Sequence, residues 1–235
     1  MKTRGIAHTR TSLERLRGLA SFYVRRNILG MDLPLLASFK LTYRCNLQCA
    51  PCPYHRRDDA NSSSIGWESA TAALDALHRA GCRIVVFEGG EPLLWRDGAR
   101  SFADLALYAR ERFLCTAATT NGTLTLDVPV DVLWVSLDGT KETHDRLRSG
   151  SFDRVWENLA TSSHRKLLVH FTMNRENWRD LERLMDALKR RPAVRGVTLQ
   201  IFYPYGQGED NLALSPAERH EAIDRAIRLK ERGYP

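Results

Sequence analysis

Three cysteines, Cys45, Cys49 and Cys52, lie close together in the sequence at the spacing C-x3-C-x2-C. They follow an apolar stretch ending at Tyr43, so we expect them on a loop that leaves a strand, where strand-fed α/β folds place reactive groups. A cubane iron–sulfur cluster held by three thiolates would keep one iron open to a non-protein ligand, as a catalytic zinc ion keeps an open position. The spacing alone also allows a zinc site with His55 as a further ligand, buried structural thiols, or a disulfide plus a spare thiol.

The composition is that of an ordinary globular protein. The chain has 235 residues, of which 43% are hydrophobic and 27% charged, so one large α/β domain with a real core is expected. The five cysteines do not form the pattern of a disulfide framework, which favours a reducing compartment. No apolar run approaches the roughly 20 residues that a membrane span needs. We therefore expect a cytoplasmic protein, with peripheral membrane contact as an option.

The positive charge of the chain is concentrated at its N-terminus. The formal net charge of the chain is +7. Residues 1–26 contain seven Lys and Arg residues against one Glu, so this segment contributes +6 of that net charge. A nearly neutral remainder does not suit tracking along nucleic acid phosphates. We divide the chain into a basic arm and connector, residues 1–34, and one α/β domain, residues 35–235.

The arm contains an expected amphipathic helix over residues 11–29, with Ser12 as its N-cap and Gly30 as its stop. One side of this helix is apolar: Leu13, Leu16, Ala20, Tyr23 and Val24. Two interpretations remain open. The apolar side packs on the domain, or residues 1–30 form a surface that contacts anionic lipid or an acidic partner.

Strand-like and helix-like segments then alternate. Strands are predicted over residues 36–43, 83–87, 114–119, 132–137, 166–173 and 196–203, and helices over 66–79, 101–112, 152–162, 178–190 and 217–232. Each strand except the third is followed by a helix, which implies parallel neighbours joined by right-handed crossovers. Six such units are too few to close an eight-stranded barrel. The fold class predicted is therefore α/β, a partial (β/α)6 TIM-type barrel preceded by the N-terminal helix.

Polar motifs follow the strands. Gly89-Gly90-Glu91 ends the second strand, and its glycines would let the backbone approach a ligand while Glu91 adds a carboxylate for an ammonium group. Thr120 and Asn121 follow the third strand and offer hydrogen-bonding groups, although Asn-Gly is also a turn signal. The fourth strand and the polar loop expected after it supply three more candidates for ligand hydroxyls and carboxylates: Ser136, Asp138 and Arg148.

Together these segments resemble the radical S-adenosylmethionine (radical SAM) superfamily. Cys45, Cys49 and Cys52 match its cluster loop, and Gly89-Gly90-Glu91 resembles the segment that receives the methionine amino group. The segments 120–122 and 136–139 resemble those near the ribose, and 143–148 resembles a loop of members with this barrel. The superfamily usually has an aromatic residue just before the third cysteine; here Pro51 stands there, and Tyr54 is our substitute for the adenine contact.

The resemblance implies two cofactors, a [4Fe-4S] cluster and S-adenosylmethionine (SAM), and a reductant such as flavodoxin or ferredoxin. It implies reductive cleavage of SAM to methionine and a 5′-deoxyadenosyl radical that abstracts hydrogen from a small molecule, a peptide or a lipid such as an isoprenoid. An iron–sulfur sensor and an RNA-modifying protein on the same scaffold are the alternatives, and the charge distribution makes a nucleic acid partner the less favoured one. Relatives with extra clusters carry a cysteine-rich C-terminal extension, which this sequence does not contain.

Overall fold

A computed structural model describes residues 11–59, 62–206 and 208–234 of the chain. The central feature is a parallel six-stranded sheet whose strands are arranged in sequence order. They are β1 (Leu36–Thr42), β2 (Ile84–Gly89), β3 (Cys115–Thr120), β4 (Val132–Ser136), β5 (Leu167–Met173) and β6 (Val194–Ile201). Each right-handed crossover adds the next strand to the same edge of the sheet, so all the helices lie on one face. The sheet curls around its other face, as in a TIM-type barrel. The predicted partial barrel is confirmed.

Seven α-helices accompany the strands in the described part of the chain. They are α1 (Ser12–Tyr23), which continues as a π-helical turn over Val24–Ile28, α2 (Trp67–Arg79), α3 (Phe102–Arg110), α4 (Lys141–Leu147), α5 (Phe152–Thr161), α6 (Leu181–Leu188) and α7 (Pro216–Glu231). The link between β3 and β4 is not helical, as predicted. The segment after β4 was expected to be a polar loop, and this expectation is wrong because α4 occupies most of it.

The two faces of the sheet have different chemistry. Outward-pointing side chains such as Val85, Phe87 and Phe171 are buried in the main core beneath the helices. Because side chains alternate along a strand, the intervening residues line the inside of the barrel. At the amino-terminal half of the strands these inner residues are apolar, as at Val86 and Ala117. At the carboxyl ends they are polar: Glu88, Thr119, Ser136, His170, Thr172 and Gln200. Polar chemistry is therefore confined to one end of the barrel.

Helix α1 lies across the opposite, amino-terminal end of the strands. A Cβ atom on Gly18 would come within 2.6 Å of the Leu114 side chain, just before β3. The Arg15 guanidinium forms an ion pair of 2.6 Å with Asp131, just before β4. The N-cap lies one residue before the predicted one, since Thr11 and not Ser12 caps the helix and forms a capping box with Glu14.

The apolar side of α1 does not pack on the domain, and that interpretation is wrong. Leu16 and Tyr23 are 64% and 62% exposed, and Phe22 is the buried residue of the helix. Arg15, Gly18 and Phe22 form the side that contacts the barrel, opposite the apolar residues. Within the described residues, no helix combines the length and apolar composition that crossing a bilayer requires.

Candidate functional site

A cavity lies at the carboxyl ends of the strands, and ten of the twelve residues singled out from the sequence line it. These are Cys45, Cys49, Cys52, Tyr54, Gly89, Gly90, Thr120, Asn121, Ser136 and Arg148. They come from the loop after β1, from the ends of β2, β3 and β4, and from the end of α4, far apart in sequence. Strand order brings them together because parallel strands end at the same edge. Glu91 and Asp138 are fully buried behind the cavity wall.

The loop that carries the cysteines is held from three sides. The Glu91 backbone N–H donates to the Arg44 carbonyl at 2.8 Å, and the Ala50 N–H donates to the Leu147 carbonyl at 2.9 Å. On the third side, Asn121 Nδ2 donates to Asn46 Oδ1 at 2.8 Å. Three of the motifs recognised in the sequence therefore contact the cysteine loop itself and fix its position.

The two glycines after β2 are required by this close packing. A Cβ on Gly90 would lie 2.2 Å from the Arg44 carbonyl oxygen, and one on Gly89, whose φ is +132°, would lie 2.3 Å from the Thr42 carbonyl oxygen. Both contacts are with backbone atoms that have no freedom to move aside. The sequence suggested that the glycines make room for a ligand. The structure shows that they first make room for the cysteine loop, while their backbone also lines the cavity.

The sulfur atoms occupy surroundings suited to thiolate ligands. Cys45 Sγ accepts the Leu47 N–H at 3.4 Å and Asn121 Nδ2–H at 3.6 Å. Burial raises the pKa of Cys49 to about 11, and the Arg148 guanidinium is the main influence that opposes this rise. Hydrogen bonds to sulfur and nearby positive charge favour an anionic centre. The donor set therefore fits an iron–sulfur cluster, whose binding would release the thiol protons.

The zinc alternative receives no support from the side-chain geometry. Among the residues that the structure describes, no group of three or more His, Cys, Asp or Glu side chains is arranged to hold a metal ion. A single ion draws its ligands to about 2.0–2.3 Å, whereas a cluster takes up the space between its thiolates. The His55 side chain, the proposed further zinc ligand, lies outside the described part of the chain.

Glu91 differs from its expected role. Its carboxylate accepts hydrogen bonds from Thr120 Oγ1 at 2.8 Å, the Asn121 N–H at 2.7 Å and the Leu93 N–H at 3.0 Å. Burial raises the pKa of this carboxyl to about 7, although the three donors favour the ionised form. Its side chain therefore joins the ends of β2 and β3 below the cavity, and the expectation that it faces a ligand ammonium group is corrected.

Asp138 also acts from behind the wall. Its Oδ2 accepts Arg148 Nε–H at 2.5 Å, and its Oδ1 accepts the Thr172 N–H at 2.8 Å. Burial disfavours the Arg148 charge, but Asp138 and the Cys49 thiolate raise the pKa of Arg148 above its ordinary value. Asp138 was expected to bind a ligand hydroxyl; instead it holds the Arg148 guanidinium against the cysteine loop. The Arg148 side chain is 14% exposed and lines the cavity.

A buried histidine supports this ion pair. The sequence suggested a local pair of His144 and Asp145, but His144 Nδ1 accepts the Asp138 N–H at 3.2 Å. Its Nε2 lies 3.0 Å from Ser151 Oγ, which donates to the Arg148 carbonyl at 2.7 Å. These partners assign the proton of the neutral ring to Nε2. Burial, together with the nearby Arg148 charge, lowers the pKa of His144 to about 4.

Acid is expected to destabilise the protein through His144. The pKa of His144 in the folded protein, about 4, lies below its unfolded value of 6.5. The contribution of the neutral ring to the free energy of unfolding is therefore fully present above pH 6.5 and is lost as the pH falls through 4. The free energy of unfolding should fall by about 3 kcal/mol over this range. Urea unfolding of the cluster-free protein between pH 7.5 and 4 measures it, with His144→Asn as the non-titrating control. If the free energy of unfolding depends on pH equally in the two proteins, His144 is not the group that causes the loss.

Tyr54 and Ser136 present unused surface to the cavity. The Tyr54 ring stacks on Tyr43, with centroids 5.4 Å apart and planes 11° apart, and burial raises the pKa of its phenol to about 12. One ring face is thus covered by Tyr43, while Tyr54 also lines the cavity. Ser136 is 6% exposed, and its hydroxyl has no hydrogen-bond partner among the residues that the structure describes.

Several cavity residues were missed from the sequence, and three of them are polar side chains on the last two strands. His170 and Thr172 on β5 and Gln200 on β6 form the wall beyond Ser136. His170 is bonded through Nδ1 to Thr198 Oγ1 at 3.1 Å and through Nε2 to Gln200 Oε1 at 3.0 Å. The signal was present in the alternation of β5, where His170 and Thr172 are half-buried between buried apolar neighbours.

Comparison with known proteins agrees with this geometry. The sequence profile of the radical SAM superfamily matches residues 39–188. The chain is 32% identical to Fe-coproporphyrin III synthase of Methanosarcina barkeri over 84% of this chain and 53% of that protein. It is 31% identical to mycofactocin maturase MftC of Mycobacterium tuberculosis over 85% of this chain and 52% of the relative. The chain thus spans about half the length of these curated relatives.

The fold comparison gives the same result. The crystal structure of Streptococcus suis SuiB bound to S-adenosylmethionine superposes with a TM-score of 0.67 at 13% identity, covering 99% of this chain and 53% of SuiB. At that identity the likeness concerns the fold alone. The profile match covers more than half of the chain and includes the cysteine loop and the ends of β2 to β5. The chain therefore belongs to the radical SAM superfamily.

Proposed function

We propose that this chain is the catalytic core of an enzyme that cleaves SAM and uses the resulting radical to abstract hydrogen from a substrate. The observation that carries the proposal is the convergence of three thiols, a buried guanidinium and unpaired polar groups on one cavity. Cys45, Cys49 and Cys52 hold a [4Fe-4S] cluster. When bound and reduced, it supplies the electron that cleaves SAM to methionine and a 5′-deoxyadenosyl radical.

The residues of the chain then have distinct tasks. The backbone of Gly89 and Gly90 and the guanidinium of Arg148 bind the amino and carboxylate groups of SAM at the cluster side of the cavity. Ser136 donates to a ribose hydroxyl, for which its unpaired hydroxyl is available. Tyr54 offers its uncovered ring face to the adenine.

Four of the residues predicted from the sequence hold the binding groups in place. Glu91, Thr120 and Asn121 join the cysteine loop to the ends of β2 and β3. Asp138 fixes the direction of Arg148. Such supporting contacts restrict a reactive carbon radical to one geometry, because a displaced radical attacks whatever lies nearest.

The substrate approaches from the side of β5 and β6. His170, Thr172 and Gln200 form that wall, and the aromatic side chains of Tyr203 and Tyr205 stand at the mouth with 74% and 57% of their surface exposed. A mixed polar and aromatic opening suits a small molecule or a peptide. Both classes occur among similar proteins: one relative is named Fe-coproporphyrin III synthase, and the fold neighbour SuiB has been solved bound to the precursor peptide SuiA. A flavodoxin or ferredoxin in a reducing compartment is the electron donor.

Product analysis after anaerobic turnover tests this function. The reconstituted and reduced protein is expected to bind about four irons and to convert SAM to 5′-deoxyadenosine. With a deuterated substrate candidate, deuterium appears in 5′-deoxyadenosine. Bound cluster without any 5′-deoxyadenosine would identify a sensor instead, and zinc without iron would reject the assignment of the cysteines.

A further inference from the structure

Helix α1 presents an apolar stripe to the solvent. The stripe consists of side chains that are 42–67% exposed: Leu13, Leu16, Leu19, Tyr23, Val24 and Ile28. It lies directly opposite the side that contacts the barrel, where Phe22 is the buried residue of α1. A run of exposed large apolar residues on one helix face is unusual on a free surface and marks an interaction site.

Basic residues flank this stripe. Arg17, Arg25 and Arg26 lie beside it in sequence and on the helix, and Glu14 is the one acidic residue between positions 11 and 31. The sequence before position 11 adds Lys2, Arg4 and Arg10. The partner must therefore be apolar in its interior and negatively charged at its surface. A bilayer with anionic headgroups has this combination, and a helix with an apolar stripe between arginines is suited to lie in its interface.

We propose that α1 docks the protein on an anionic membrane through the apolar stripe. The stripe is convex and formed by one helix, so a flat bilayer surface can cover all of it at once. Burial of two or three of its large side chains supplies the apolar contribution, and the flanking arginines add electrostatic attraction to lipid phosphates. Docking is consequently reversible and depends on salt.

The position of α1 fixes the orientation of the docked protein. Gly18 and Arg15 contact Leu114 and Asp131, which precede β3 and β4. The stripe is on the far side of the helix from these contacts, whereas the cavity opens at the carboxyl ends of the strands. A strand of six residues spans roughly 20 Å. The cavity mouth thus points away from the bilayer, and the substrate enters from water and not from the lipid below.

Vesicle sedimentation tests the docking. The full 235-residue chain is incubated with vesicles of phosphatidylglycerol and phosphatidylcholine at equal amounts, and with phosphatidylcholine alone. The unmodified chain is expected to bind to the anionic vesicles. The double variant Leu16→Glu/Tyr23→Glu is expected to partition onto them about tenfold less, or weaker still. Ile227→Glu on α7 is the matched control, because Ile227 is an exposed apolar helical residue, 51% exposed, outside the stripe. Thermal unfolding confirms that each variant folds.

Quenching by bromine-labelled acyl chains tests the orientation. Tyr23→Trp on the stripe is expected to show added quenching relative to the unmodified chain, and Tyr203→Trp at the cavity mouth is not. Failure of the unmodified chain to bind anionic vesicles overturns docking. The unmodified chain could instead form a dimer on size exclusion without binding vesicles, and the Leu16→Glu/Tyr23→Glu variant could lose that dimer. This result would assign the stripe to contact with a second copy of the chain and would also overturn membrane docking. Quenching at position 203 overturns the orientation, and none of these results bears on SAM cleavage.

Discussion

Replacing Cys49 by Ala is expected to abolish both iron binding and the formation of 5′-deoxyadenosine. Cys49 is the most enclosed of the three cavity thiols, with 7% of its surface exposed. Water is poorly placed to replace its sulfur at such a buried position, and two thiolates do not hold a cluster of this kind. Iron should fall from about four to below one per chain. Activity should fall by more than the roughly 10- to 100-fold that changes around a metal site typically cause.

Cys82→Ala is the matched control for this experiment. Cys82 is also buried, but its thiol faces the Ile84 carbonyl at 3.1 Å and does not line the cavity. Its loss removes a small core group, so stability falls while iron content and product formation persist. Iron and acid-labile sulfide analysis after anaerobic reconstitution, with chromatography of the products, measures both variants. If Cys49→Ala retains iron and product, the cysteine loop is structural and the proposed function fails.

The fold was largely predictable because hydrophobic periodicity is a local property. Each of the six strands was placed within two residues of its observed start, since every one is a short apolar run bounded by polar residues. The helix that was missed is α4, at Lys141–Leu147. Its sequence is almost entirely polar and its length is two turns, so no apolar stripe distinguished it from a loop.

The site was predictable at the level of motifs but not of individual roles. A motif after a strand indicates that its residues are near the site, yet adjacent side chains point to opposite sides of the backbone. Gly90 therefore lines the cavity while Glu91 next to it is bonded to Asn121. Asp138 lies two residues beyond the end of β4, where strand alternation no longer applies, and it is bonded to Arg148. These partners are distant in sequence, and no local pattern encodes them.

The role of the apolar side of α1 could not be decided from the sequence for a different physical reason. Periodicity shows which side of a helix is apolar, but it does not say what covers that side. At α1 the absence of a side chain on Gly18 permits close contact with Leu114, and the Arg15–Asp131 ion pair adds to that contact. A contact through a glycine, an arginine and a single phenylalanine, Phe22, has only a weak hydrophobic signature in the sequence. The apolar side of α1 is thereby left exposed.

Replacing Asp138 by Asn is expected to destabilise the cluster-free protein by about 3–5 kcal/mol. Asp138 is fully buried and neutralises Arg148, whose side chain is 14% exposed. A carboxamide keeps the shape but removes the negative charge, and an unpaired cation left in a buried place carries a penalty of this size. Urea unfolding at pH 7.5 measures the change. The freed guanidinium should also leave the cysteine loop, so iron binding weakens in the same variant.

The double variant Asp138→Asn/Arg148→Met separates the charge from the other contacts of Asp138. If the penalty arises from the unpaired cation, removing Arg148 as well should recover a large part of it, because a buried ion pair can be replaced by apolar groups at little cost. If the losses of stability caused by Asp138→Asn and by Arg148→Met simply add in the double variant, Asp138 contributes through its hydrogen bond from the Thr172 N–H instead. Iron binding should not recover in the double variant, because the positive charge that opposes the raised pKa of Cys49 is then absent. Recovered stability with persistently weak iron binding would thus assign Asp138 to the fold and Arg148 to the cluster.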